Sequence, residues 1–331
     1  MKSFSCAVVG ASGMVGQMMV KVLEERGLPV SSLYLFASAK SAGATVAFRG
    51  AEIVIEELTP ASFDRGIAVA LFAVSNEISR KYAPIAAEKG CIVVDNSSAW
   101  RMEKDVPLVV PEVNGADITA HKGIIANPNC CAAPAVVALK PLQDAFGLKR
   151  VVISTYQSVS GSGVEGTRDL ENNLKGKPSE FYPHTIAHNI IPHIDSFDPA
   201  GSGYTGEEMK IMAEARKMLH LPDLAITATA VRVPVFVGHS LSMNVTLTRP
   251  FEMDAVRALL QEAPGVRLSD NPAEKIYPMP ITAAGTDNVY VGRLRRDKSC
   301  ENSLNLWVSA DNTRKGAATN AVQIVTSVLG G

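Results

Sequence analysis

The sequence predicts an α/β protein in two parts, a parallel sheet covered by helices followed by an α+β domain whose sheet is mostly antiparallel. Three observations carry this. The chain has 331 residues, about twice the common single-domain length of roughly 100–200 residues. Its N-terminal part alternates short β-branched runs with helix-period segments, the order that builds a parallel sheet. From about Arg150 the strands lengthen and alternate apolar with polar residues, the habit of antiparallel sheets.

Taken in order, the first strands are expected at Phe4–Val9, Ser32–Phe36, Val69–Val74, Cys91–Val94 and Gly123–Ala126. Between the first two, Met14–Glu25 places Val15, Met18, Met19, Val22 and Leu23 on one helical stripe, and Gly27 closes it. A helical run through Ala135, Val136, Leu139 and Leu142 follows Cys131. Strands are then expected at Val151–Val159, Ala225–Pro234, Ser240–Leu247 and Ser303–Ser309, with helices at Thr205–Leu219 and Met253–Ala263. The final helix, Lys315–Leu329, has the apolar spacing to pack back onto the first part.

Composition narrows the function. Hydrophobic residues are 47% and charged residues 20%, too apolar for a disordered chain. A net charge of −1 gives no footprint for nucleic acid, so a small molecule is the expected ligand. Apolar stretches such as Ile67–Val74 run to about eight residues, against the roughly 20 that cross a bilayer. With no apolar leader core near the N-terminus, the expected location is the cytoplasm. Five cysteines, an odd number without C-x-x-C spacing, read as reduced thiols rather than as a disulfide framework or zinc site. His184, His188 and His193 lack accompanying carboxylates and are interrupted by prolines, so no metal is expected.

The first strand ends in Gly10-Ala11-Ser12-Gly13-Met14-Val15-Gly16. Glycines at a strand–turn–helix junction let backbone N–H groups face a pyrophosphate, which makes this a Rossmann-like cofactor domain. After the second strand no Asp or Glu waits for a ribose 2′-hydroxyl. Lys40 and Ser41 stand there instead and suit a 2′-phosphate, hence NADP. Cys130 falls near the start of a helix, where the dipole favours thiolate, and its neighbour Cys131 is expected to point elsewhere as a structural residue. His239, beside Gly238 at a junction of two strands, is the candidate acid/base, and Arg232 is a candidate fork for a carboxylate.

Six segments in order identify the chain as similar to the aspartate-semialdehyde dehydrogenase family. They are 10–16 above, Asp95–Met102 (DNSSAWRM), Asn127–Cys130 (NPNC), Gln157–Gly163 (QSVSGSG), Gly206–Lys210 (GEEMK) and Arg232–Ser240 (RVPVFVGHS). The resemblance implies NADPH-dependent reductive dephosphorylation of L-aspartyl 4-phosphate to the semialdehyde and phosphate, towards lysine, threonine and methionine, in a homodimer. It makes Cys130 the nucleophile of an acyl-thioester, His239 the acid/base and Gln157 the group that orients the acyl carbon. Arg232 and Glu207 would bind the amino-acid end; Arg101 and Lys210 would hold phosphate. Gly10, Ser12, Gly13, Met14, Val15, Lys40, Ser41, Ser160, Gly161 and Asn312 would line the cofactor. It also implies that 1–129 with 312–331 bind NADP, and that 130–311 form the catalytic and dimerisation domain. Cys131-Ala132-Ala133 departs from the Ser-Thr usual after the nucleophile, removing hydroxyls from the helix start. The alternatives are N-acetyl-gamma-glutamyl-phosphate reductase, whose substrate lacks the ammonium that Glu207 would pair with, and a non-catalytic nucleotide-binding paralogue.

Overall fold

The structure, a computed structural model, describes residues 2–330. The described chain divides into two units: the residues up to Asn129 with those from Ala317 onward, and Cys130–Gly316. The return point thus falls at 317, not at 312. Asn312 belongs to the second unit, where Ser158 Oγ, Ser160 Oγ and the Gly238 N–H all donate to its Oδ1.

In the first unit, β1 (Phe4–Val9), β2 (Val30–Ala37), β3 (Thr45–Phe48), β4 (Ala51–Glu57), β5 (Val69–Phe72), β6 (Ile92–Asp95) and β7 (Ile124–Ala126) form one sheet in the order β3-β4-β2-β1-β5-β6-β7. Every neighbour pair is parallel except the β3–β4 hairpin. The two-residue period of β1 explains the layers. Cys6 and Val8 face a core with Met19, Val22 and Leu23 of helix Met14–Glu25 and with Ala321, Val322 and Val325 of the last helix. Ala7 and Val9 face a second core with Phe36, Phe63, Phe72 and Ala83. The last helix begins at Thr319, after a π-helical turn at Arg314–Ala318. Asn320 ties it down, donating to Val109 O at 2.9 Å and Asn127 Oδ1 at 2.7 Å.

The glycine turn after β1 is sterically determined. Gly10 has φ +89°, and a Cβ there would lie 2.2 Å from Ala73 O; one on Gly16 would lie 2.2 Å from Gly10 O. Gly13 meets only Gly10 O, at 3.4 Å, and caps the helix with no side-chain hydrogen bond, leaving its first N–H groups free of a side-chain cap.

In the second unit, β8 (Leu148–Gln157), β9 (Ala225–Arg232), β10 (His239–Leu247), β11 (Val266–Leu268), β12 (Val289–Arg296) and β13 (Ser303–Ala310) order as β11-β12-β13-β10-β8-β9. Three neighbour pairs are antiparallel, while β8–β9 and β11–β12 are parallel, so the sheet is mixed. Val151, Ile153, Leu241, Met243, Val245 and Val308 are buried on one face. The alternate positions Ser154, Tyr156, Ser242, Asn244 and Trp307 are half-buried on the other, with the Tyr156 and Trp307 rings 5.2 Å apart. The parallel β8–β9 register sets Gln157 beside Arg232, so both strands end at one edge of the site.

Candidate active site

The second unit gathers most of the expected catalytic side chains. Cys130 follows the Asn127–Asn129 loop, half-buried and one residue before the N-cap, Cys131, of helix Ala132–Phe146. Gly316 approaches it so closely that an added Cβ would sit 3.1 Å from the Cys130 Cβ. Cys131 does not point away as expected. Its Sγ, the Cys130 Sγ and a ring nitrogen of His239 lie within 4.8 Å of one another. The two thiols occupy a loop-to-helix junction, where the 100° step between helical neighbours does not separate them. Burial, then the hydrogen bond and charge of Cys130, push the Cys131 thiol well above its ordinary pKa.

His239 opens β10 and is fully buried. Its Nδ1 accepts the backbone N–H of Ser158 at 3.1 Å, with Ser158 Oγ at 3.0 Å. Nε2 is buried and has no hydrogen-bond partner. The pattern disfavours a metal at the Cys130–Cys131–His239 cluster. A ligating histidine donates its second ring N–H to an acceptor, whereas here a backbone N–H donates to Nδ1.

Gln157 and Glu207 meet although neither strand spacing nor helix period links them. Gln157 Nε2 donates to Glu207 Oε1 at 3.0 Å and to Thr155 Oγ1 at 3.2 Å. Glu207 lies in the first turn of helix Gly206–Met218, which Thr205 and Glu208 start with a capping box. Arg232, 5% exposed, donates from Nη1 to Ser158 O at 2.8 Å, and its guanidinium carbon lies 6.0 Å from the Tyr182 ring centroid. The Tyr182 hydroxyl also donates to Ser162 Oγ at 3.1 Å; sequence reasoning missed it because nothing local marks a tyrosine between Phe181 and Pro183. Lys210 binds Asp195 at 2.6 Å. Although burial raises the Asp195 carboxyl, that ammonium and the Ser196 N–H hold it below its ordinary pKa. Ser160 Oγ accepts from Asn312 Nδ2 at 3.0 Å. A Cβ on Gly161 would lie 2.8 Å from Arg232 Nη1 and 3.2 Å from His239 Nε2, so this glycine is a point of close approach for both side chains.

In the first unit, Arg101 is buried and donates from Nε to Asn127 O at 2.9 Å and from Nη2 to Asn96 O at 2.8 Å, which fixes its fork. Next to it, burial raises the Asp95 carboxyl, against hydrogen bonds from Ser79 and Ser97. A cavity of about 370 Å³ is lined by Gly10, Ser12, Ser38, Ala39, Glu57 and Tyr82, among others. Met14 and Val15 begin the helix beyond Gly13. Lys40 and Ser41 follow Ala39 in the turn Ala39–Ser41 and are not among the lining residues. Glu57 was missed. It ends β4 and pairs in register with Ala37 at the end of β2, so its carboxylate arrives through a neighbouring strand instead of the β2 loop.

The family model described as semialdehyde dehydrogenase, NAD binding domain matches residues 5–121, and that of the dimerisation domain matches 139–315. An aspartate-semialdehyde dehydrogenase of Aquifex aeolicus is 49% identical over 330 residues, covering 97% of this chain and 96% of its own. One of Bacillus subtilis is 46% identical over 336 residues, covering 97% and 96%. Aspartate semialdehyde dehydrogenase II of Vibrio cholerae, also solved in complex with ASA, superposes with a TM-score of 0.93 at 42% identity over 99% of both chains.

Proposed function

The chain belongs to the aspartate-semialdehyde dehydrogenase family, and on that premise we propose that it reduces L-aspartyl 4-phosphate with NADPH to L-aspartate 4-semialdehyde and phosphate. One observation carries the reading: a half-buried thiol, Cys130, stands within 4.8 Å of a fully buried imidazole, His239, whose Nε2 has no hydrogen-bond partner. Covalent catalysis then divides the reaction into two easier steps. Cys130 sulfur bonds the acyl carbon, the bond from that carbon to the phosphate oxygen breaks, and phosphate leaves. NADPH, when bound, supplies the hydride that reduces the thioester. The hemithioacetal expels Cys130 thiolate as the aldehyde forms, with His239 in the acid/base role of the family.

The remaining side chains suit the charges of such a substrate. Arg232 offers a fork to the α-carboxylate and Glu207 a carboxylate to the ammonium, while Gln157 stands between them and the reacting carbon. Arg101 and Lys210 are the cations proposed for phosphate. Lys210 would exchange Asp195 for it. The glycine turn at Gly10–Gly16, with no side-chain cap on its helix, suits a dinucleotide pyrophosphate. Gly10, Ser12, Gly13, Met14 and Val15 would hold it, and the family resemblance adds Ser160 and Gly161 as cofactor residues. We assign the cytoplasm as the location and a homodimer as the assembly. Support for the dimer is the matched dimerisation domain and the half-buried Tyr156–Trp307 face of the second sheet.

Lys40 and Ser41 favour NADP over NAD. Glu57 in the cavity lining favours the second reading, in which a carboxylate takes the ribose 2′-hydroxyl of NAD. Purified protein given aspartate semialdehyde and phosphate, with NADP or NAD in parallel, tests both. Reduction of NADP is the expected outcome; reduction of NAD alone assigns the specificity to Glu57, and activity only with N-acetylglutamate semialdehyde overturns the substrate.

A further inference from the structure

We propose that Cys130 and Cys131 form an oxidative modification site: a hydroperoxide oxidises the Cys130 sulfur, and Cys131 resolves the product as a disulfide between chain neighbours, which a thiol reductant reopens. The modification goes beyond the reduction of the acyl phosphate and rests on that reading only for its effect, the reversible arrest of the nucleophile.

The two thiols share one junction but differ in access. Their Sγ atoms and a ring nitrogen of His239 lie within 4.8 Å of one another. Cys130 is half-buried, whereas Cys131, the N-cap of helix Ala132–Phe146, has no exposed surface. A small oxidant therefore meets Cys130 first. Burial and Cys130 itself also push the Cys131 thiol well above its ordinary pKa, and a protonated thiol is a poor target for peroxide.

The chemistry balances at two electrons. The Cys130 sulfur takes one oxygen from the hydroperoxide as the O–O bond breaks, giving a sulfenic acid and water or an alcohol. Nε2 of His239 is buried without a hydrogen-bond partner, so the sulfenic hydroxyl has a polar neighbour while it lasts. The Cys131 sulfur then attacks the Cys130 sulfur. The S–S bond forms, the S–O bond breaks, and the hydroxyl leaves as water with the Cys131 proton. The hydroperoxide gains the two electrons that the thiols lose.

Adjacency sets the character of the bond. Neighbouring Cα atoms are about 3.8 Å apart, inside the roughly 4.4–6.8 Å usual for a disulfide, so a ring closed through one peptide bond is strained and more easily reduced. Strained disulfides are the labile, regulatory kind. Without a resolving thiol, further peroxide carries the sulfenic acid to sulfinic acid, which thiol reductants do not reverse. Cys131 thus gives the nucleophile a recoverable oxidised state.

The test treats the purified enzyme with hydrogen peroxide, alkylates it with iodoacetamide and weighs the tryptic peptide Gly123–Lys149, which holds Cys130 and Cys131 and no other cysteine. Wild type should lose activity in proportion to the peptide that has lost two hydrogens and takes no label. Dithiothreitol should restore both the activity and the thiols. Cys131→Ser should also lose activity, but its peptide should carry at least about tenfold more sulfinic and sulfonic acid than wild type at equal peroxide, and dithiothreitol should not restore it. If Cys131 serves packing alone, the two proteins accumulate equal sulfinic acid; that result overturns the proposal, as does a wild-type peptide that gains oxygen, or a disulfide to Cys300 or between chains. If Cys131→Ser does not fold, the wild-type peptide decides, since its loss of two hydrogens requires the Cys130–Cys131 bond. A disulfide that forms with activity retained would overturn the reading of Cys130 as the nucleophile, so the peptide mass and the assay tell the two failures apart.

Discussion

Gln157 Nε2 and Glu207 Oε1 are hydrogen-bonded at 3.0 Å although 50 positions separate them, and both residues are buried. The second amide hydrogen goes to Thr155, so the pair is organised before any substrate arrives. In this arrangement the Glu207 carboxylate is held where an ammonium can join it, without free rotation to lose on binding.

Glu207→Gln keeps the volume and removes the charge. We expect kcat/KM for the amino-acid substrate to fall by about ten- to a hundredfold, the value of a hydrogen bond to a charged group, roughly 1.5–3 kcal/mol. KM for the nicotinamide cofactor should stay where it is. Steady-state kinetics with each substrate varied in turn checks this, and a change confined to the cofactor would refute the assignment.

Gly161→Ala should disable the site without unfolding the protein. Its φ lies outside the left-handed region, so the backbone accepts alanine, but the new methyl meets Arg232 Nη1 at 2.8 Å and His239 Cε1 at 3.1 Å. Overpacking of this kind costs about 1–3 kcal/mol of stability, and displacing the imidazole should cost at least about tenfold in kcat. Gly115→Ala, where no atom lies within 4 Å of the added methyl, is the control. Equal kinetics in the two variants would contradict the close approach.

The thiols should separate by chemistry. Burial pushes Cys6 up to about 12 and Cys91 up to about 11, and Cys131 is raised by burial and by Cys130. Because the thiolate is the nucleophile, iodoacetamide near neutral pH should label half-buried Cys130 and exposed Cys300 and leave the other three. Peptide mass spectrometry reads the pattern. Aspartate semialdehyde should protect Cys130 alone; label on Cys131 ahead of Cys130 would reverse the assignment of the nucleophile.

Cys6 also predicts an alkaline loss of stability. The folded thiol holds its proton up to about pH 12, against 9.0 for the free group. The folded state therefore binds more protons than the unfolded chain across that window, so the Cys6 contribution is whole below pH 9 and is lost as pH rises through it. At about 1.4 kcal/mol per pKa unit, the loss amounts to a few kcal/mol. Urea melts of wild type and Cys6→Ala should show the wild-type advantage shrinking between about pH 9 and pH 11; a constant difference would count against the shift.

Several features were legible because they depend on neighbours in the chain. The helix Met14–Glu25 appears with the expected bounds, since its apolar stripe and closing glycine are local signals. The hairpin of β3 and β4 was missed. Both strands carry exposed charged or polar positions, and the signal that could have found them is the Arg49-Gly50 turn, with φ of 52° and 77°, between Val46/Phe48 and Ile53/Ile55. Strand ends shifted by a few residues. Val151–Val159, for example, is Leu148–Gln157, followed by a 3-10 turn at Val159–Ser162.

By itself the sequence determined the alternation that lays down the first sheet, the glycine turn after β1, the change of texture after Arg150, and the residues Cys130 and His239 as a thiol and an imidazole worth pairing. Only the tertiary structure decided that Glu57 enters the cavity beside Gly10, that Cys131 faces its neighbour, that Lys210 is bound to Asp195, and that the Ser158 amide donates to Nδ1 of His239. The physical reason is range. Periodicity and turn chemistry act over a few residues, whereas the Ser158 amide that sets the imidazole lies 81 positions from it, and Asn312 lies 154 from Ser158. Such contacts exist only after the strands have paired in register and brought those chain positions together.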